Sequence, residues 1–233
     1  ELHDVYRALD ILGNEYDLIQ SELYKNSNFL MNRNDQVLYY DCSNYYFEIE
    51  QEAGDKRYGK SKEHRPNPII QMGLFMDGEG IPLAFSMFPG NANEQTSLKP
   101  LEKKILSEFG CQKFIYCCDA GLASEDIRHF NHMGERSFIV TQSIKKLPSE
   151  DKVWALDLRG FKRISDNKPV DITRIPEDDQ GLYYKDEPYT TKRLHQRLII
   201  TYSPKYALYQ KTIRARQMER AEQLLNSGKA KRN

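Results

Sequence analysis

Two stretches decide how this chain folds: Val37-Leu38-Tyr39-Tyr40-Asp41 and Lys113-Phe114-Ile115-Tyr116-Cys117-Cys118-Asp119. Each is a short run rich in β-branched and aromatic residues that finishes on a carboxylate, and such runs read as strands. Past Asp41 the period-2 pattern continues through Tyr45 to Ile49, which predicts a strand with Asp41 near its middle. The second run reads as a buried strand that stops on Asp119.

Working outward, residues 51–67 are polar and rich in Lys, Arg and Gly, which marks a loop. Residues 69–76 and 81–88 read as the two strands of a hairpin, joined by Asp77-Gly78-Glu79-Gly80. Asp-Gly is expected to supply the positive φ of that turn. A loop over residues 89–94 follows, with Gly90 expected in a conformation that glycine alone takes easily. A helix then opens with Thr96 as its expected N-cap. Leu98, Leu101, Ile105, Leu106 and Phe109 form its stripe, and Gly110 ends it. After Asp119, Ser124 is expected to cap a helix carrying Ile127, Phe130 and Met133, and residues 137–141 read as a strand. Ahead of all this, Leu2, Val5, Tyr6, Leu9, Leu12, Tyr16, Ile19 and Leu23 recur at helical spacing, with a possible break at Gly13-Asn14.

The order is strand, hairpin, helix, strand, helix, strand. That is an RNase H-like α/β core with a mixed five-stranded sheet, in which the first and fourth strands lie side by side. We place a helical N-terminal segment at residues 1–35, the core at 36–145, and a β-rich insertion ending in a basic helix at 146–233. In the insertion, residues 153–158, 162–165, 170–175, 182–185 and 197–202 read as short alternating segments. Residues 204–225 read as a long basic helix. Trp154, the sole tryptophan, is expected in the core of the insertion rather than stacked on a base.

Composition narrows the class. Hydrophobic residues make up 39% and charged residues 29%, as in a soluble globular protein. The acidic start, Glu1-Leu2-His3-Asp4, has no basic n-region or apolar h-region, so no signal peptide is expected and the cytoplasm is the expected compartment. The cysteines Cys42, Cys111, Cys117 and Cys118 match no zinc spacing and read as small buried hydrophobes in a reducing compartment. Lys plus Arg equals Asp plus Glu at 34 each, so any nucleic-acid contact is expected to be local, at residues 61–65 and in the segment from Lys205 onward.

Asp41 and Asp119 would meet in such a sheet. Burying an unpaired carboxylate is costly, and a divalent cation is the natural partner for two. Two ions about 4 Å apart can activate a water or a 3′-hydroxyl and stabilise the leaving oxygen. The plainer alternative is that both are solvated residues at strand ends.

Several motifs occur in an order that resembles transposases of the IS-four superfamily, in particular the IS-1634-like branch. They are Tyr39-Tyr40-Asp41-Cys42-Ser43, Tyr58-Gly59-Lys60-Ser61-Lys62-Glu63-His64-Arg65-Pro66, Gly80-Ile81-Pro82-Leu83-Ala84-Phe85, Phe88-Pro89-Gly90-Asn91 and Cys118-Asp119-Ala120-Gly121-Leu122. The likeness extends to the basic helix. It implies that Asp41 and Asp119 are the first two acids of a DDE triad. It further implies Mg²⁺ or Mn²⁺ as cofactor, cleavage and strand transfer of an insertion sequence, transposon-end and target DNA as partners, a homodimer in the synaptic complex, and a bacterial, nucleoid-associated setting. The N-terminal helices would be the remnant of a DNA-binding region.

The family carries its third acid in a Tyr-x₂-Arg-x₃-Glu-x₆-Lys pattern, and no match occurs here. Glu219 and Glu222 are preceded four residues earlier by Ala215 and Met218 instead of Arg. The third acid is expected beyond Asn233, in a longer protein. Lys60, Lys62, His64 and Arg65, and Arg214, Arg216 and Arg220 on the basic helix, are candidate DNA contacts, with solvated charged surface as the alternative. Rival readings are another RNase H-like nuclease or resolvase, and a catalytically dead DNA-binding relic of a mobile element.

Overall fold

A computed structural model describes residues 1–226; the basic residues of the tail after Asn226 lie outside them. The described residues form two compact units, Glu1–Ser143 and Ile144 onward. Among them no helix is long and apolar enough to cross a membrane.

In the first unit, helices α1 (Leu2–Asn14) and α2 (Tyr16–Leu30) precede strand β1 (Val37–Tyr46). Then come β2 (Ile69–Met76), β3 (Pro82–Pro89), α3 (Glu94–Glu108), β4 (Ile115–Cys118), α4 (Glu125–Phe130) and β5 (Ser137–Val140). The sheet order is β3-β2-β1-β4-β5. β1, β2 and β3 are antiparallel neighbours, and β4 and β5 add in parallel. This strand order and sense is that of an RNase H-like sheet, as the sequence predicts.

Alternation along β1 sends Leu38, Tyr40 and Cys42 into the core and leaves Tyr39, Asp41 and Ser43 exposed on the other face. The core packs these side chains with Phe75 of β2, Leu98, Leu101 and Ile105 of α3, Tyr116 of β4, Ile127 of α4 and Tyr24 of α2. Leu98 and Ile105 are fully buried, and truncating either to Ala would cost about 2–5 kcal/mol. Two ionic devices tie the periphery to this core. Arg33 pairs with Asp77 and also donates to Ser27 Oγ and to the Ile81 and Pro82 carbonyls, which clamps the end of α2 to the β2–β3 turn. Glu102 of α3, fully buried, accepts from Asn131 Nδ2 at 3.1 Å and lies 3.4 Å from Arg136 Nε.

Three local expectations are corrected here. Asn93, not Thr96, caps α3, its side chain accepting from the Gln95 N–H; asparagine is the stronger capping residue. In the hairpin turn the left-handed residue is Gly80, at φ +79°. Gly78 is needed for space instead, since a Cβ there would lie 2.4 Å from Asn34 Nδ2. Gly90 likewise answers to close packing and not to a positive φ: a Cβ would sit 2.1 Å from the Ile69 carbonyl oxygen.

The second unit holds α5 (Ser149–Leu156), β6 (Lys162–Arg163), β7 (Tyr183–Thr190), β8 (His195–Tyr202) and α6 (Pro204–Asn226). β6, β7 and β8 form a three-stranded antiparallel sheet. Residues 153–158 lie mostly in a helix, where strand was expected. Pro148 and Ser149 open it, and Glu150 and Asp151 favour its N-terminal dipole. Residues 172–174 form a 3₁₀ turn capped by Asp171 and not a strand. Trp154 packs against the small core of Leu147, Ala155 and Leu198. Buried Lys185 donates to the Trp154 and Asp157 carbonyls at the end of α5, with its ammonium 4.7 Å from the Trp154 ring centroid.

Candidate active site

β1 and β4 run parallel with Val37 opposite Ile115, Leu38 opposite Tyr116 and Tyr39 opposite Cys117. Two residues further along each strand stand Asp41 and Asp119, at the same level. Both line one groove of about 720 Å³, whose apolar walls include Val37, Met76, Ile115 and Ile139. Alternation explains the placement: residues 37, 39 and 41 share one face of β1, opposite the face that enters the core.

Neither acid is buried. The Asp41 side chain is 67% exposed, and Asp119 is exposed too. The cost of burial therefore does not force a cation onto them, contrary to the sequence argument, because the face that carries them is open. What they offer a cation is geometry and free lone pairs. The Asp119 Oδ1 accepts from the Gly121 and Leu122 N–H groups at 2.9 and 3.2 Å, and Asp41 Oδ1 accepts from the Cys42 N–H at 2.8 Å. Each Oδ2 has no hydrogen-bond partner among the described residues. These are hard oxygen donors on a fixed scaffold, the kind Mg²⁺ or Mn²⁺ takes with water completing its shell. Two carboxylates suit one such ion. Among the described residues there is no group of three or more His, Cys, Asp or Glu side chains able to hold a metal.

Lys62 joins this site from the 51–67 loop. Its ammonium donates to the Cys42 carbonyl and lies 3.8 Å from Asp41 Oδ1. The loop is a built turn: buried Ser61 Oγ accepts from the Glu63 and Arg65 N–H groups, and His64 takes a left-handed φ of +56°. Arg65 is turned aside, its guanidinium 5.0 Å from the Tyr46 ring centroid and its Nε 3.7 Å from Glu63. Lys60, Lys62 and His64 instead line a second cleft of about 620 Å³ together with residues 90–94, Gln71 and Gly121.

The other candidate contacts lie in the second unit. Arg214, Arg216 and Arg220 are all exposed on α6. Arg216 and Arg220, four apart, share one helical face, and Arg214 points elsewhere. Glu219 and Glu222 are exposed on the same helix.

The cysteines divide as their positions dictate. Cys42 and Cys111 are buried, while Cys117 and Cys118 are half-buried. Burial pushes the Cys118 thiol up to about 11 and the other three thiols upward. None is a ready nucleophile. Sequence reasoning missed the Lys62–Asp41 contact and the cleft; only the charge of residues 60–65 hinted at either.

No family model and no curated protein sequence matches the chain. Among solved structures, part of the chain is similar to the "Mos1 transposase paired-end complex with left transposon end". The TM-score is 0.31 and the identity 13%, over 54% of this chain and 40% of that one. It is also similar to the "Cryo-EM structure of piggyBac transposase synaptic complex with hairpin DNA (SNHP)". There the TM-score is 0.35 and the identity 11%, over 72% of this chain and 33% of that one. The chain thus spans less than half the length of each.

Proposed function

We propose that this chain carries the catalytic core of a DDE-type DNA transposase related to the IS-four superfamily, acting on the ends of an insertion sequence. The observation that carries this reading is the placement of Asp41 and Asp119 at one level of adjacent parallel strands, facing a common groove. A divalent cation bound there would supply Lewis acidity to a phosphodiester and lower the pKa of an attacking hydroxyl. The chain's own residues do the rest. Asp41 and Asp119 present Oδ2 from a fixed backbone; the Cys42, Gly121 and Leu122 N–H groups hold the carboxylate planes. Lys62 brings positive charge beside Asp41, where substrate phosphate would lie. Lys60 and His64, and the arginines of α6, supply backbone contacts that set affinity and not sequence. A third acid would complete the metal site.

The alternative within the same chemistry is a nuclease or resolvase that cuts without joining; a catalytically dead DNA-binding relic is the other. All three are separated by one experiment. The gene's full-length product is incubated with labelled duplexes bearing the element's ends and Mg²⁺ or Mn²⁺, beside its Asp41→Asn and Asp119→Asn variants. Cleavage and joined product in the parent, neither in the variants, and DNA affinity kept within about threefold is the expected outcome. Cleavage that survives both substitutions rejects the acid pair as the reaction centre.

A further inference from the structure

The second cleft does more than present positive charge. One wall is residues 58–62 with His64, the other residues 90–94, with Gln71 between them and Gly121 at the end nearest Asp119. At about 620 Å³ it falls within the range of small-ligand clefts, roughly 300–1,000 Å³. Its walls are fastened together. A Cβ on Gly59 would stand 1.9 Å from the Gly90 carbonyl oxygen, so the two backbones touch. Gln71, 6% exposed, donates from Nε2 to the Gly90 and Ala92 carbonyls, and its Oε1 has no hydrogen-bond partner.

The lining sorts by chemistry. Lys60 and His64 suit a phosphate, while the Lys62 ammonium reaches out of the cleft to the Cys42 carbonyl and to within 3.8 Å of Asp41. Gln95 Nε2 donates to the Gly121 carbonyl, and the Gly121 N–H holds Asp119 Oδ1, so the far end of the cleft is tied to the second acid. The Asn91 amide, on the other wall, suits the edge of a heterocycle. Asn93 is engaged in capping α3. The half-exposed Tyr58 ring, fixed by its hydroxyl's 2.6 Å bond to the Glu50 carbonyl, gives a stacking surface. Glu94 adds a negative charge at the rim, which disfavours a bare polyanion and favours a ligand that also brings neutral hydrogen-bonding groups.

We propose that this cleft binds one nucleotide of a DNA strand, its phosphate on Lys60 and His64 and its base against Tyr58 and the Asn91 amide. This rests on the proposed function only for the identity of the strand, namely the one whose next phosphate lies at Asp41 and Asp119. The base cannot remain paired while it occupies the cleft, so single-stranded DNA binds better than duplex here.

The test uses the full chain in EDTA, with a short fluorescein-labelled oligothymidylate containing 4-thiothymidine. Irradiation is expected to crosslink the thymine to residues 58–64 or 90–94. Lys60→Glu and Tyr58→Ala are each expected to weaken binding roughly tenfold, with Tyr58→Phe close to the parent and circular-dichroism melts unchanged. Crosslinks that map only elsewhere, unaltered affinity in Lys60→Glu, or inorganic phosphate competing as well as the oligonucleotide would each overturn the proposal. Because EDTA removes divalent ions, the two readings fail separately. A protein that crosslinks here but never cleaves DNA keeps the cleft and loses the reaction; one that cleaves without this crosslink does the reverse.

Discussion

Lys62 and Asp41 are joined across the open face of the sheet: the ammonium sits 3.8 Å from the carboxylate and donates to the carbonyl of the next residue, Cys42. A lysine 21 positions downstream in sequence thus supplies charge at the first acid. The pair is half-exposed on both sides, so it adds at most about 1 kcal/mol to stability. Lys62→Ala is therefore expected to leave the melting temperature within a few degrees of the parent while weakening DNA affinity. A large loss of stability would show that Lys62 is structural.

Glu102 sets a pH dependence. Full burial pushes its carboxyl up to about 7, although the Asn131 amide and the Arg136 and Lys99 charges pull the other way. A raised acid binds its proton more tightly in the folded state. Its contribution to stability is therefore greatest below about 4.5, falls as pH rises to about 7, and then levels off. The fall is on the order of 3 kcal/mol. Urea unfolding at several pH values should show it, and Glu102→Gln should flatten it. An unchanged slope in that variant would place the titration elsewhere.

Asp77 behaves in the opposite sense. Burial raises its carboxyl, but the Arg33 guanidinium and the Ile81 and Glu79 N–H groups outweigh that and hold it below the usual range. Its contribution is present at neutral pH and is lost as pH falls through the depressed folded value. Arg33→Ala leaves a fully buried carboxylate without its charge partner and should cost about 3–5 kcal/mol by chemical denaturation. A cost below about 1 kcal/mol would contradict the clamp between α2 and the hairpin turn.

Much of the fold was legible because β1 and β2 alternate between more and less buried positions and α3 carries an apolar stripe at helical spacing. The 153–158 segment was not. A six-residue segment with five apolar residues has no decisive period, and the acids at Glu150 and Asp151, which mark a helix start, lie just outside it. The acid pair was readable because both aspartates end apolar runs whose strands adjoin in this topology. The Lys62 contact and the nucleotide-sized cleft were not readable. Both depend on where the 51–67 loop folds back over residues 90–94, and on Gly59 and Gly90 letting two backbones touch. No local pattern encodes that.

Gly90 gives a further expectation, with Gly80 as its contrast. Gly90→Ala places a Cβ 2.1 Å from the Ile69 carbonyl oxygen and 2.4 Å from that of Arg57, so backbone must move. Thermal unfolding should report a loss of about 1–3 kcal/mol. Gly80→Ala, with open space around its Cβ but φ of +79°, should cost about 1–2 kcal/mol through strain alone. Equal stability of Gly90→Ala and the parent would mean the loop packing is wrong.

Arg216 and Arg220 share a face of α6, and neither forms an ion pair among the described residues. If that face binds DNA backbone, replacing each by Ala should lower the slope of log affinity against log salt by about one. Arg65→Ala, whose guanidinium is already committed to Tyr46 and Glu63, should change the slope little. Identical slopes in all three variants would remove α6 from the interface.

The most direct measurement of the central claim is Mn²⁺ binding followed by electron paramagnetic resonance in this chain and its Asp41→Asn, Asp119→Asn and double variants. Two carboxylates that share an ion lose it together. The account predicts that each single substitution weakens binding of the same ion at least tenfold and that the double variant binds no better than either single one. Parental affinity in either single variant would contradict a shared metal site at Asp41 and Asp119.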